Sequence, residues 1–286
     1  MNLSDELQKI ICCPNCRDSS LVIQNNSLEC KRCNIEFLEI DKIPRLFIEQ
    51  NEFVGLNKVT PKVREFYEGT PFPNYDEFDS VASLIDKASQ GVFAKLLNEQ
   101  LPYQMPILEV GCGTGQLTNF LSTSNRTAIG VDMSLNSLRL GQAFKENFKL
   151  PRSHFFQMNL FFPIFKDESF PVVISNGVLH HTYSTKKAFE SIARLVKPGG
   201  YIIIGLYHKF GRILTDLRRI GFNVLGNQHT FMDPRLKENV DQNIRHAWFM
   251  DQYKNPHETK HTVSEVMQWF KEFGFSFINS IPKTVL

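Results

Sequence analysis

The stretch from Pro106 to Gln116, PILEVGCGTGQ, decides how the rest of the chain is read. Its first half is an apolar run of strand length, and its second half sets Gly111, Gly113 and Gly115 on alternate positions. Glycines there let the backbone turn sharply and let a ligand press against the main chain at a helix start. Working outward, helix-like LTNFLS (117–122) precedes a second strand, TAIGVD (127–132), and a second helix, SLNSLRLGQAFKENF (134–148), with Ser134 as its N-cap. Strands follow at HFFQM (154–158) and PVVIS (171–175), then the helix STKKAFESIARLV (184–196), stopped by KPGG, and the strand YIIIGLY (201–207). Strands alternating with helices predict an α/β fold with a doubly wound, mostly parallel sheet. Ligands of such sheets bind beyond the carboxyl ends of the strands, so the residues just after each strand carry the information.

Those residues form a consistent set. Glu109 precedes the glycine loop, and Asp132 ends the second strand 17 residues past Gly115. An acid in that place accepts hydrogen bonds from ribose hydroxyls, which predicts a nucleoside derivative as ligand. Met158 and Asn159 end the third strand, where an Asn carbonyl could accept from an adenine amino group and Met could pack on its ring. The glycine spacing is G-x-G-x-G rather than the dinucleotide G-x-G-x-x-G. A carboxylate at Glu109 would repel a pyrophosphate but suit an amino-acid ammonium. Both points disfavour a nicotinamide dehydrogenase.

ILEVGCGTGQL, AIGVD, QMNLF, VVISNGVLHHT and ARLVKPGGYIIIGLY together resemble the consecutive motifs of class I S-adenosylmethionine-dependent methyltransferases, over roughly residues 80–207. The resemblance implies a Rossmann-like fold and S-adenosyl-L-methionine as cofactor. It places Glu109, Gly111, Cys112, Gly113, Thr114 and Gly115 around the methionine moiety, Asp132 and Met133 at the ribose, Met158 and Asn159 at the adenine, and Asn176 near the methyl group. Two positions depart from the family pattern, since many members carry Asp where Asn159 and Pro171 stand here.

Residues 1–50 read as a zinc ribbon. Cys13 and Cys16 form one C-x2-C knuckle and Cys30 and Cys33 a second, with thirteen residues between the pairs. Zinc takes four tetrahedral ligands, and two such turns supply two thiolates each. LVI and SLE around a polar QNNS turn predict a hairpin that brings the knuckles together. Cys12 is expected to pack beside the site. CPNC, CKRC and DKIPRLF also resemble the small zinc module of some methyltransferases, certain ribosomal RNA guanine methyltransferases among them. Six Lys and Arg against eight Asp and Glu make this segment acidic, a poor surface for holding phosphates.

Residues 51–80 are expected to be a linker or to lie over a pocket, and 81–286 to form the methyltransferase domain, with a substrate-side insertion at about 207–262. SVASLIDKASQGVFAKLLNEQL (80–101) has helical spacing despite Gly91. HKFGRILTDLRRIGF predicts a helix that buries Ile213, Leu214, Leu217 and Ile220, and FSFINSIP (275–282) a sixth strand. His180 and His181, after the fourth strand, and His257 in the insertion are the candidate catalytic residues. A His there could serve as a base near neutral pH or be a structural, hydrogen-bonded side chain. Residues 257–261, HETKH, match the zincin pattern H-E-x-x-H. Pro256, and a capping box between Thr262 and Glu265, place His261 before a helix rather than on one. The segment, with Asp251, Tyr253 and His257, is expected instead to roof the acceptor pocket.

The net charge of +2, 42% apolar and 22% charged residues describe an ordinary globular protein and point to neither DNA nor a membrane. No secretory signal is evident, so a cytoplasmic location and reduced thiols are expected. The expected function is methyl transfer to a small-molecule or metabolite acceptor. The alternatives are an RNA methyltransferase whose zinc ribbon recognises its substrate and a non-catalytic S-adenosylmethionine-binding module.

Overall fold

The computed structural model of the protein describes residues 3–48, 58–73, 75, 79–226, 233–236 and 242–283. Parts of the segment expected over 51–80 and of the insertion therefore lie outside the described residues. Helix α1 (Asp5–Ile10) and strands β1 (Leu21–Gln24), β2 (Ser27–Cys30), β3 (Glu36–Ile40) and β4 (Ile43–Leu46) make the N-terminal unit. Three helices follow, α2 (Val59–Gly69), α3 (Val81–Gln90) and α4 (Val92–Gln100). The alternating core then runs β5 (Ile107–Val110), α5 (Gln116–Ser122), β6 (Ala128–Asp132), α6 (Leu135–Asn147), β7 (Ser153–Met158), β8 (Phe170–Asn176), α7 (Thr185–Ala193) and β9 (Val196–Gly205). Helices α8 (Ile213–Leu225), α9 (Gln242–Phe249) and α10 (Val263–Glu272) complete the order.

The nine strands of the described residues lie in one sheet, ordered β1-β2-β3-β4-β7-β6-β5-β8-β9. Strands β1 to β4 pair antiparallel and β4 to β9 parallel. Ile-Leu-Glu-Val of β5 is buried along its whole length, as a central parallel strand covered on both faces must be. The order reverses at β5, since β6 and β8 flank it, and the crevice of a doubly wound sheet opens there.

The N-terminal unit is joined to this sheet rather than tethered to it. Arg45 and Leu46 of β4 pair with Gln157 and Met158 of β7. Ile11 bridges Phe165 antiparallel, and Cys12 N–H donates to the Ile164 carbonyl at 2.8 Å. The Arg17 guanidinium donates to the carbonyls of Pro163 and Phe165 and to Asp167. Leu7, Ile11, Leu28, Phe37 and Leu46 share one apolar cluster with Val110, Val131, Phe156 and Phe165. Full burial of Ile43 and Leu46 contributes about 1.5–3 kcal/mol each.

Three expectations from sequence are corrected. Gly91 is extended and separates α3 from α4, where the spacing suggested one helix; glycine costs helix about 1 kcal/mol and resists it least when it leaves. Helix α8 exposes Ile213, Leu214, Leu217 and Ile220, Leu217 by 60%, and buries Thr215 and Phe222 instead. The face turned inward carries Arg212 and Arg219, which bond the enclosed Glu258 carboxylate, so ion pairing outweighs the apolar stripe. Residues 275–280 form no strand; Phe275 N–H folds back onto the Phe270 carbonyl at 2.7 Å. No helix among the described residues is long and apolar enough to cross a membrane.

Candidate active site and metal centre

A cavity of about 590 Å³ opens at the carboxyl ends of β5, β6, β7 and β8. Glu109, Gly111, Cys112, Gly113, Asp132, Met133, Met158 and Asn176 line it, all of them residues singled out in the sequence. Gly111 (φ +75°) and Gly113 (φ +53°) hold left-handed conformations. A Cβ on Gly111 would stand 2.4 Å from Val178, and one on Gly113 2.1 Å from the Phe72 carbonyl oxygen. The loop thus presents bare backbone to the cavity.

Asp132 is fixed from both sides. Its Oδ2 accepts from Gly113 N–H at 2.9 Å and its Oδ1 from Ser134 N–H at 2.8 Å, which leaves lone pairs for a ligand. Burial raises its pKa. Glu109 accepts from the Thr118 hydroxyl, and burial pushes its carboxyl up to about 8. An isolated carboxyl in such a place holds its proton until a cation arrives.

Three other predicted residues stand differently. Thr114 is buried and donates to the Pro73 carbonyl, and neither it nor Gly115 belongs to the cavity wall. Asn159 also lies off the wall, between the lining residues Met158 and Leu160, because alternate side chains of an extended chain face opposite ways. Its Oδ1 accepts from Phe161 N–H at 3.1 Å and shapes the turn after β7.

Segment 58–80 supplies wall that the sequence marked only by its aromatics. Phe72 and Pro73 cover the glycine loop, and Tyr67 of α2 lines the far end. Glu68 docks α2 on the start of α6, accepting from Leu135 N–H at 2.8 Å and Asn136 N–H at 3.0 Å. A carboxylate there complements the free N–H groups and positive end of a helix.

Tyr67, His181, Thr182, Tyr207, Asp251 and Gln252 close the end away from the loop. Asp251 and Gln252 belong to a π-helical turn, Met250–Lys254. Tyr67 Oη donates to Asp251 Oδ1 at 2.7 Å, and Gln252 Nε2 reaches Asp251 Oδ2 at 2.9 Å and Tyr207 Oη at 3.0 Å. His181 Nδ1 meets the His257 carbonyl at 2.8 Å.

The three candidate histidines are thereby separated. His181 reaches the cavity; His180 and His257 do not line it. His180 is wholly buried, its ring 3.8 Å from that of Tyr207, and burial lowers its pKa to about 2. Burial thus disfavours its charged form, and its ring stands against Tyr207 rather than on the cavity wall. His257 contributes its main-chain carbonyl. Tyr253 packs among Phe222 and Phe249 and donates to Asp233 at 2.5 Å, outside the cavity. The HETKH segment is not helical, and Thr262 and Glu265 form the expected capping box ahead of α10.

In the N-terminal unit four thiols converge. Cys13 and Cys33 Sγ lie 3.6 Å apart, Cys16 and Cys30 3.5 Å apart, and all four within 4.8 Å of one another. Those spacings exclude disulfides, whose sulfurs sit about 2.0 Å apart. They suit a tetrahedral ion with metal–sulfur bonds of about 2.3 Å, whose sulfurs stand about 3.8 Å apart. The two knuckles are the same turn: Arg17 and Asn34, each four residues past the first Cys, are left-handed at φ 62° and 55°. Cys12 is buried beside them.

Residues 108–204 match the family model of a methyltransferase domain. The matched span starts in β5 and ends in β9, so it contains the glycine loop, Asp132 and His181. The fold is the Rossmann-like fold of class I methyltransferases. An uncharacterised protein of Synechococcus sp. is 26% identical over 197 residues, covering 60% of this chain and 47% of that protein. A mitochondrial ubiquinone biosynthesis O-methyltransferase of Dictyostelium discoideum is 28% identical, covering 40% of this chain and 41% of that one. A tRNA U34 carboxymethyltransferase of Idiomarina loihiensis is 26% identical, covering 61% and 46%. The chain spans less than half the length of each of these relatives. The matched span lies wholly C-terminal to the four-cysteine unit, and Tyr67, Asp251 and Gln252 of the cavity wall come from outside it.

Proposed function

We propose that the protein is an S-adenosyl-L-methionine-dependent methyltransferase acting on a small-molecule acceptor, with a structural zinc ion held by Cys13, Cys16, Cys30 and Cys33. The observation that carries this reading is the pairing of Asp132 with the Gly113 amide at the mouth of the cavity. It sets a carboxylate against bare loop backbone, as a ribose diol and an amino-acid moiety bound side by side require. When bound, the cofactor supplies an electrophilic methyl group. The chain's own residues have the remaining tasks. Among the residues lining the cavity, Glu109 would face the ammonium, Asp132 the ribose hydroxyls, and Met158 and Leu160 the apolar face of the base. Phe72 and Pro73 exclude water from the loop. Alignment and water exclusion are the main requirements of such a transfer.

Support for a small acceptor comes from the wall: Tyr67, Tyr207, Asp251 and Gln252 line the cavity beside the glycine loop, in a space of about 590 Å³. The similarity to a tRNA-modifying enzyme keeps an RNA acceptor as the second reading, but the ribbon's acidic balance speaks against phosphate contacts. The reading is tested with purified protein and donor carrying a labelled methyl group, offered a metabolite extract and total RNA separately. Label in the metabolite fraction supports it, label in RNA replaces it with the second reading, and no cofactor binding at all removes both. Metal analysis should find one zinc per chain, lost in the Cys13→Ser, Cys16→Ser double variant.

A further inference from the structure

From the acceptor end of the cavity we infer that Tyr207 and Asp251 together hold a hydroxyl group of the acceptor, Tyr207 donating to its oxygen and Asp251 accepting from it. This rests on the methyltransferase reading and narrows the acceptor to a molecule that carries a hydroxyl in addition to the atom methylated.

Two groups that can only donate fix the direction of the hydrogen bonds at this end. Arg212 Nη1 lies 2.6 Å from Gln252 Oε1, so the Gln252 amide nitrogen faces the other way. That nitrogen gives one hydrogen to Asp251 Oδ2 at 2.9 Å and the other to Tyr207 Oη at 3.0 Å. The His257 main-chain N–H likewise fixes Asn255, donating to its Oδ1 at 3.2 Å and leaving Nδ2 to donate to Tyr67 Oη at 2.9 Å. Tyr67 passes its own hydrogen to Asp251 Oδ1 at 2.7 Å. Asp251 therefore receives a bond on each oxygen and keeps lone pairs for a ligand. Tyr207 receives one bond, and its own hydrogen remains to be given.

That hydrogen separates Tyr207 from the other hydroxyls of this wall. Tyr67 gives its hydrogen to Asp251, and Thr182 gives its own to the Leu179 carbonyl at 2.6 Å. Tyr207 has no acceptor among the described residues, and it lines the cavity together with Asp251 and Gln252. Burial, with the nearby Asp251 charge, raises its pKa to about 12, so it carries the hydrogen at neutral pH. Arg212 stands behind the ring, its Cζ 3.7 Å from the centroid, and pairs with Glu258 at 3.0 Å rather than lining the cavity. Its charge on the ring face opposes the effect of burial and strengthens the O–H as a donor.

Spacing and direction select the ligand group. Asp251 Oδ2 and Tyr207 Oη bond the same nitrogen, whose two N–H bonds diverge by about 120°, so the two oxygens stand about 5 Å apart. One oxygen between them lies within ordinary hydrogen-bond length, about 2.8 Å, of both. A carboxylate or phosphate could take the Tyr207 hydrogen but has none for Asp251. An ammonium could give one to Asp251 but has no lone pair for Tyr207. A hydroxyl does both with one atom. A site with donor and acceptor so placed discriminates against an analogue that lacks the group, because both are then left without it.

The test uses the full chain, donor carrying a labelled methyl group, and three probes, catechol, resorcinol and phenol. Each offers one hydroxyl to methylate, and the first two carry a second to be held. The native protein should methylate one of the diols with kcat/KM at least about tenfold above phenol, the worth of one hydrogen bond to a charged group. Tyr207→Phe keeps the ring against Arg212 and removes only the hydroxyl. In that variant the preference should fall to about threefold or less, chiefly through KM, while S-adenosylhomocysteine still binds. A damaged fold would lower diol and phenol transfer alike and leave their ratio. Equal transfer to diols and phenol by the native protein, transfer to none of the three, or a diol preference that survives in the variant overturns the inference. Failure of the native protein to bind S-adenosylhomocysteine instead overturns the methyltransferase reading beneath it.

Discussion

On the proposed reading Glu109 should make cofactor binding a proton-releasing event, and the size of the effect follows from its burial. In the free protein its pKa is pushed up to about 8, so at pH 7 about nine-tenths of the molecules hold a proton on it. A ligand ammonium alongside favours the ionised form, so each molecule of S-adenosylhomocysteine bound at pH 7 should release about 0.9 proton. Affinity should accordingly rise close to tenfold per pH unit between pH 6 and 7.5, plus a smaller contribution from Asp132, whose pKa is also raised. The sign for folding runs the other way. Below its ordinary value near 4.5 Glu109 is protonated in both states, and from there up to about 8 only the folded chain keeps the proton. The stability it contributes is therefore present at low pH and lost as pH rises through about 8, at about 1.4 kcal/mol per unit of displacement. Titration calorimetry in two buffers of different ionisation enthalpy counts the released protons, and Glu109→Gln should remove most of them while melting higher than the native protein at pH 8. An affinity independent of pH, with no buffer dependence, would refute the placement of an ammonium at Glu109.

Other consequences follow from the same geometry. Gly113→Ala drives a methyl group against the Phe72 carbonyl, so it should weaken S-adenosylhomocysteine binding at least tenfold and destabilise the fold by about 1–3 kcal/mol, read by calorimetry and thermal melting. Arg17→Ala breaks three anchors between the ribbon and the 163–167 turn and should cost about 2–4 kcal/mol of stability, seen in urea denaturation. Chelation of the zinc proposed for the four thiolates should reach the cofactor cavity, because Cys12 bonds Ile164, Ile164 N–H meets Met158 Sδ at 3.4 Å, and Met158 lines the cavity. Hydrogen exchange along β7 should accelerate on metal removal, and unchanged protection would uncouple the two sites.

The parts legible in the sequence were those set by local chemistry. Glycines with positive φ, an acid at the end of β6 and paired C-x2-C turns each need a particular residue type, and the structure brings each set together. Thr262 and Glu265 likewise announce a helix start, which was enough to deny HETKH a helix. What periodicity could not give was direction. Helix α8 shows an apolar stripe, yet Arg212 and Arg219 turn inward to Glu258, a partner more than thirty residues away. Three histidines looked equivalent, and only the tertiary contact of Nδ1 with the His257 carbonyl and the packing of His180 on Tyr207 separate them. Tyr67 and Gln252 carried no motif, because they meet Asp251 from segments 184 residues apart in one case and adjacent in the other. Pairing of β4 with β7 was hidden for the same reason: a parallel edge contact leaves no local signature.

The central claim, a nucleoside-and-amino-acid site built on Gly113 and Asp132, is met most directly by calorimetric titration of S-adenosylhomocysteine into the native protein and Asp132→Ala. The account predicts one site per chain in the native protein, weakened about 10²–10³-fold in the variant, as loss of charge-assisted bonds to the ligand and to the Gly113 amide requires. Absence of binding to the native protein, or equal binding by the variant, would contradict it.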